Sequence, residues 1–222
     1  MLYIVPTPLG NLGDITARAK ETLESCDFII SENPSTTHKL LQLLKLPKKQ
    51  VIQFADHNER VVTTDYVKRL ETETACLVSD AGTPGISDPG FRLVRAAREA
   101  GIQVVALPGP NAATTALSAS GLPTDRYIFV GFLPKTEHKV KEFVNMAKDT
   151  ESTMVAYESP QRIVKTLQYI EKSFPEANCV IARELTKLHE EYLSGTPSEL
   201  LAILKPKATI KGEITFLLSF KK

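Results

Sequence analysis

The sequence has no tryptophan and only three cysteines among its 222 residues. Cys26, Cys76 and Cys179 are odd in number and widely spaced, which fits neither a disulfide framework nor a zinc site. Each falls in or just before an apolar stretch, so each reads as a small buried hydrophobe, and no metal is expected. No apolar run approaches the ~20 residues of a membrane span. The chain opens directly on the strand-like LYIVPTP, without a signal-peptide pattern. A cytoplasmic protein with no membrane partner is the expectation. An excess of one charge is lacking too, with 27 Lys+Arg against 26 Asp+Glu and a formal net charge of +1. That excludes an electrostatic tail but leaves room for a local basic patch, so nucleic acid is neither demanded nor excluded. Internal repeats and low-complexity segments are absent as well.

What is present is an ordinary globular composition, 42% apolar and 24% charged, long enough for two small α/β lobes. Leu2 to Val5, Phe28 to Ile30, Val51 to Phe54, Ala75 to Val78 and Val104 to Leu107 read as buried strands. Between them lie helices: one on the spacing Ile15, Ala19, Leu23, one from His38 to Leu46, and one capped by Asn58. A fourth is expected to be capped by Asp88 with Pro89 at its first position, and to end at Gly101. Strands alternating with helices through short loops mean a mostly parallel sheet with helices on both faces. The run Gly121 to Arg126 is the expected boundary, giving lobes 1–121 and 122–222. Beyond it Tyr127 to Gly131, Thr153 to Tyr157, Cys179 to Ala182, Tyr192 with Leu193, and Ile214 to Phe220 read as strands. Some of these follow one another directly, so a mixed sheet with antiparallel pairs is expected. Helices are expected around Glu142 to Ala147 and from Ser159-Pro160 to near Phe174. Thr196-Pro197-Ser198-Glu199 is a capping box.

Four loops follow expected strands: Pro6 to Asp14, Ser79 to Gly90, Pro108 to Ala113, and Tyr157 to Pro160. In open α/β sheets such loops form the ligand crevice. Glycine admits close approach of a ligand to the backbone, and proline holds the loop so that less freedom is lost on binding. The first loop is neither a Walker loop nor a GxGxxG loop. SDAGTPGISDPG carries more glycine and proline than a turn requires, interspersed with Ser, Asp and Thr. No nucleophile stands beside an obvious His/Asp set. Transfer of a methyl group from a sulfonium needs alignment and a place for the acceptor's proton, and a cradle with one or two polar residues suffices for that.

VPTPLGNLGDIT, LVSDAGTPGISDPGFRLVRAA, LPGPNAATTALSASGLPTD, GFLPK, YESPQRI and ARELTKLHEE follow one another from Leu2 to about Phe220. In that order they resemble the motifs of the tetrapyrrole methylase superfamily and, within it, its ribosomal RNA branch. The resemblance implies a two-lobed fold with S-adenosylmethionine bound between the lobes. It implies a homodimer, and 2′-O-methylation of a cytidine ribose in small-subunit ribosomal RNA, free or in the 30S subunit. It also implies donor-site residues: Leu9 and Gly10; Gly82, Thr83, Ile86 and Ser87; Asn111 and Ala112; Tyr157 and Glu158; and Leu185. Ile86 would be an apolar wall for adenine.

On the acceptor side, Asp80 or Glu32 is expected to take the proton, and Arg183 or Lys187 to hold a phosphate. The structural alternatives are that Asp80 caps its own loop and that Arg183 and Glu184 form ion pairs. His57, Asn58, and the basic residues Lys39, Lys45, Lys48, Lys49, Lys135, His138, Lys139 and Lys141 could face RNA or only solvent. Ser31-Glu32-Asn33-Pro34-Ser35 departs from the acidic pair, Thr and Arg typical of such sequences. The sequence also ends at Lys222, before a further small helical region such sequences commonly carry; if that region grips the ribosomal subunit, a weaker hold on RNA, help from a partner, or action on another site is expected. The rival readings are a methyltransferase for a tetrapyrrole-type small molecule and a non-catalytic RNA-binding protein that kept the fold.

Overall fold

Five short apolar runs become β1 (Leu2–Ile4), β2 (Phe28–Ser31), β3 (Gln50–Gln53), β4 (Ala75–Val78) and β5 (Val104–Ala106). A computed structural model describes residues 1–55, 58–206 and 209–221 of the chain. It divides into two units, Met1–Asn111 and Ala112–Lys222.

In the first unit the sheet order is β3-β2-β4-β1-β5, with every pairing parallel. Because side chains alternate along a strand, each face of the sheet gathers its own core. Leu2, Ile4, Phe28, Ile30, Ala75 and Leu77 pack on one face, and Val5, Ile29, Cys76 and Val78 on the other. Burial on both faces is why these strands read as unbroken apolar runs rather than alternating ones. The crossovers carry α1 (Ala17–Ser25), α2 (Pro34–Leu43), α3 (Glu59–Leu70) and α4 (Phe91–Glu99). All three cysteines of the chain are buried and free.

The second unit begins with α5 (Ala112–Ala119) and holds β6 (Tyr127–Phe132), α6 (Glu137–Asp149), β7 (Thr153–Glu158) and α7 (Ile163–Ser173). It continues through β8 (Asn178–Arg183), β9 (Glu191–Gly195), α8 (Pro197–Leu204) and β10 (Ile214–Ser219). Its sheet order is β6-β7-β10-β8-β9. Only β6 and β7 pair in parallel; the other three pairings are antiparallel. Helix α5 lays Ala113, Ala116 and Leu117 on the face formed by Val155, Val180, Ala182 and Leu217. Helices α6, α7 and α8 cover the opposite face around Met154, Ala156, Ile181 and Phe216. The packing of α5 is why the units divide at its N-terminal end, whereas the change of sequence pattern lies at its C-terminal end.

Three helix starts differ from the sequence expectation, each for a local reason, and a fourth helix is capped differently from expectation. Helix α2 starts at Pro34 rather than His38, because Asn33 caps it and proline sits at its first position, where no N–H is needed. Helix α4 starts at Phe91, not Pro89; its cap is Gly90, whose φ of 148° no ordinary side chain favours. Helix α7 starts at Ile163, after a turn through Ser159 to Arg162. Asn58 stands at the cap position of α3, yet its side chain makes no capping bond and instead accepts the N–H of Ala55 at 2.8 Å. The capping box at Thr196 and Glu199 forms as expected.

Candidate active site

Strands β4, β1 and β5 are neighbours, so the loops leaving their carboxyl ends lie side by side. They are tied to one another by the backbone. Thr7 N donates to the Gly82 carbonyl at 2.9 Å and Gly82 N to the Thr7 carbonyl at 3.0 Å. The Thr7 hydroxyl reaches the Ser79 carbonyl at 3.2 Å. Thr83 extends the stitching to the third loop, its hydroxyl donating to the Pro110 carbonyl at 2.8 Å. A Cβ at Gly82 would stand 3.2 Å from Leu9 Cδ2, and one at Gly109 would stand 2.7 Å from Pro6 Cβ. Close approach therefore requires glycine at position 109, while at Gly82 the added contact with Leu9 is tight and the backbone conformation is the stronger demand. Gly82 has φ 81° as well, a conformation that glycine adopts at little cost. Farther along, Ser87 holds φ 64°, uncommon for a residue with a side chain and concentrated at functional loops. Ile86 beside it is 41% exposed.

These loops bring together Leu9, Gly82 and Thr83 directly, with Gly10, Ile86, Ser87 and Asn111 on the same three segments. The arrangement leaves backbone groups and small side chains at the strand ends, which suits a nucleoside with many hydrogen-bonding edges. The residues present fit S-adenosylmethionine in kind: glycines, a threonine hydroxyl and the exposed apolar Ile86 line these loops, and Gly109 lets the first and third lie flat against each other.

Asp80 opens the same loop at the edge toward β2. Its carboxylate accepts hydrogen bonds from the side chains of Asn33 and Thr36. Partial burial lifts it above the usual aspartate range, and those two hydrogen bonds oppose the shift. Glu32, half-buried, is the neighbouring acid at the end of β2.

In the second unit Tyr157 and Glu158 end β7, and Arg183 and Leu185 lie at the end of β8. The Tyr157 ring meets the edges of Phe129 and Phe132. Glu158 has a fully buried side chain. One carboxylate oxygen pairs with Arg162 at 2.5 Å and accepts Ser159 N at 2.6 Å; the other accepts the Thr166 hydroxyl at 2.6 Å. Arg162 in turn donates to the Leu133 carbonyl at 2.8 Å. The Glu158 carboxylate is thereby committed to holding the turn into α7. Leu185 is buried between Glu184 and Thr186, both in the left-handed region at φ 52° and 64°. Ion pairs brace that segment: Arg183 with Glu191 at 2.9 Å, and Lys187 with Glu184 at 3.0 Å and Glu213 at 2.9 Å. The backbone N–H of Glu213, then Lys187, hold the Glu184 carboxyl below the usual range. Burial works against the charge of Lys187, but Glu213 and Glu184 outweigh it and raise its pKa.

Of the other expected RNA contacts, Lys39, Lys45, Lys48, Lys135 and Lys139 are exposed. Exposed His138 lies 3.3 Å from Glu142, Lys141 pairs with Glu137 at 3.0 Å, and Lys49 donates to the Cys26 carbonyl at 2.6 Å. His57 lies outside the described residues. Sequence reasoning missed Thr7, Gly109, Asn33 and Thr36. The signal for the first two was adjacency of loops, which needs the strand order; for the others it was the capping role of Asn33 ahead of a proline.

A parallel sheet with a glycine-rich cradle at its strand ends, joined in sequence to a mixed sheet, is the architecture of the methylase class to which the comparisons point. The chain matches the family described as Tetrapyrrole (Corrin/Porphyrin) Methylases over residues 1–201. It is 43% identical over 219 residues to "Ribosomal RNA small subunit methyltransferase I" of Hydrogenobaculum sp. (strain Y04AAS1), covering 98% of this chain and 95% of that protein. Against the protein of the same name from Escherichia coli O157:H7 identity is 43% over 224 residues, with 100% of this chain and 78% of that one covered. Among solved structures, diphthine synthase superposes with a TM-score of 0.77 at 12% identity, covering 98% of this chain and 89% of that one. The methyltransferase CobJ superposes at 0.70 and 16% identity, covering 98% and 93%. The chain belongs to the tetrapyrrole methylase family, and both solved structures share its fold.

Proposed function

We propose that this protein transfers a methyl group from S-adenosylmethionine to the 2′-hydroxyl of a cytidine ribose in small-subunit ribosomal RNA. The observation that carries the reading is the three-loop cradle at the ends of β4, β1 and β5, in a chain 43% identical over its whole length to relatives named for that RNA. When bound, the donor supplies an electrophilic methyl group. The chain's task is to align it and to receive a proton. Leu9, Gly10, Gly82, Thr83, Ser87 and Asn111 line the donor, with exposed Ile86 as the apolar surface for its adenine. Ala112, Tyr157, Glu158 and Leu185 remain donor-site candidates. For Glu158 this is through its backbone, since its carboxylate is committed to Arg162, Ser159 and Thr166.

A ribose hydroxyl is a poor nucleophile, and a carboxylate made more basic by its surroundings assists it. Asp80 has that character, with Glu32 as the alternative acceptor. Arg183 and Lys187 act first through the braced segment around Leu185; an RNA phosphate would have to share them with Glu191, Glu184 and Glu213. The protein is proposed to work in the cytoplasm as a homodimer, which light scattering of the purified chain tests. The function is tested by mass-spectrometric mapping of ribose methylation in ribosomal RNA with and without this protein. A single 2′-O-methylcytidine in the small subunit should disappear on deletion and return when the purified protein and labelled donor are added. An unchanged methylation map, or transfer only to a small molecule, would overturn the reading.

A further inference from the structure

We propose that Phe132 is a stacking platform for a base of the RNA substrate, with Lys135 and Lys139 meeting the adjoining phosphates. This rests on the reading of RNA as the methyl acceptor. Phe132 and Lys135 belong to the run GFLPK, and strand register explains where the ring goes. Strands β6 and β7 pair in parallel, with Phe129 opposite Val155 and Phe132 opposite Tyr157. Two residues of β6, Val130 and Gly131, therefore stand where β7 has Ala156 alone. Gly131 takes up the extra residue at φ 68°, a conformation open to glycine. A bulge of this kind re-aims the side chains beyond it. Strict alternation would set Phe132 on the face opposite Phe129. The bulge instead brings Phe132 against Tyr157, as Phe129 is, and turns Leu133 into the core shared with α6, α7 and α8.

The ring so placed is held without being buried. Phe132 is 63% exposed, whereas Leu133 is 2% exposed. The Phe132 and Tyr157 centroids stand 5.5 Å apart, and those of Tyr157 and Phe129 5.0 Å, both pairs edge to face. Leu133 N donates to the Tyr157 carbonyl at 3.0 Å, and its own carbonyl accepts Arg162 at 2.8 Å. An aromatic ring left in water costs free energy, and fixing it beforehand lowers the cost of binding. Such a surface takes up an unstacked base, the contact by which proteins hold single-stranded RNA. Charge points to the same partner. From Lys135 to Lys141 there are three lysines against one glutamate. Glu137 is paired with Lys141 at 3.0 Å, and Lys135 and Lys139 are exposed. An apolar ring beside surplus positive charge suits a polyanion that carries bases. A two-fold contact between copies centred on this ring would bring the same lysines together.

The test is methyl transfer to small subunits from a deletion strain by Phe132→Leu, by Phe132→Tyr, and by a double variant with Lys135→Ala and Lys139→Ala. Leucine keeps the apolar bulk and loses the ring, so a purely packing role survives it. Tyrosine keeps the ring. Binding to the subunits is followed across salt concentrations. Calorimetric affinity for S-adenosylhomocysteine and mass by light scattering are read on the same samples.

Phe132→Leu should raise KM for the subunits roughly tenfold, the loss expected for one base stack, and change kcat less than about twofold. Phe132→Tyr should restore KM to within about twofold of the parent. The lysine variant should lower the slope of log affinity against log salt by about one to two, and Phe132→Leu should leave that slope in place. Donor affinity and mass should match the parent throughout. A loss that appears in donor affinity would make the ring a surface for the donor's adenine and overturn the proposal. A lower mass for Phe132→Leu would make it a contact between copies, with the same result. If the parent transfers methyl groups to the subunits and Phe132→Leu does so equally well, only this inference fails. If the parent transfers none, the proposed function fails and this inference goes with it.

Discussion

The two units finish their strands in opposite ways. At the ends of β4, β1 and β5 the first unit joins its loops through backbone amides, two threonine hydroxyls and glycines set close to Leu9 and Pro6. At the ends of β7 and β8 the second unit uses charge, with Glu158 sealed by Arg162 and the segment around Leu185 braced by Arg183, Lys187 and three glutamates. The stitching of the first unit's loops is made by uncharged groups. Ion pairs fix unusual backbone, such as Glu184 and Thr186 at positive φ, but use up the charged groups that a ligand would otherwise meet. Under the proposed function, the first is the surface that receives the donor and the second a frame that holds the fold.

The sharpest way to break that contrast is at Glu158. Glu158→Ala leaves the Arg162 guanidinium beside a buried gap, and loss of one partner of a buried pair costs about 3–5 kcal/mol. Hydrogen exchange of the β7 and α7 amides should show that loss in the second unit, with the β4 and β1 amides little changed. Equal protection in parent and variant would mean that the pair holds nothing. Next in size is Gly109→Ala. The new methyl would meet Pro6 Cβ at 2.7 Å, and crowding of this kind costs about 1–3 kcal/mol. Here the first unit should weaken and the thermal shift with S-adenosylhomocysteine should shrink, whereas Glu158→Ala should leave that shift largely intact.

The same contrast governs what could be read from the sequence. All ten strands were legible to within a residue or two at most ends; the clearest were those buried on both faces, such as Phe28 to Ser31 and Ala75 to Val78, where burial writes a nearly continuous apolar run. The cradle loops were legible by composition, since proximity without side chains demands glycine. Helix starts near proline were not. The sequence reading begins α2 at His38 whereas Pro34 is its first residue, and Pro89 reads as a first residue but precedes a glycine cap. The stitching of Thr7 to Gly82 and Thr83 to Pro110 was invisible, because it depends on β1 lying between β4 and β5. The ion pairs of the second unit joined positions as distant as Lys187 and Glu213, which no local pattern marks.

Thr83→Val tests the stitching with a smaller effect. It removes one hydroxyl donor and leaves the Pro110 carbonyl to water, a loss of about 1 kcal/mol. Donor affinity by calorimetry should weaken by a comparable amount if the second and third loops are held together for binding. An unchanged affinity would mean that the bond only finishes the fold.

The smallest expected effect lies in the frame, and its pH dependence sets the two units apart. In the folded chain the Glu184 carboxyl titrates below its ordinary range, through the Glu213 N–H and then Lys187. A lowered folded pKa gives stability that is present above the ordinary glutamate range and is lost as pH falls through the folded value. Asp80 has the opposite sign. Its folded pKa is raised by burial, so its contribution favours the fold at low pH and fades as pH rises through the folded value. Acidification should therefore loosen the segment from Arg183 to Glu191 while the loop beginning at Asp80 does not loosen with it. Lys187→Met should cost less than about 1 kcal/mol at neutral pH, since the pair is partly exposed. It should reduce the acid sensitivity of the segment only in part, because the Glu213 N–H is the larger influence on Glu184 and remains in place. Carboxyl-carbon NMR titration of the two side chains reads this directly. Midpoints shifted in the same direction would end the distinction between a receiving surface and a charged frame.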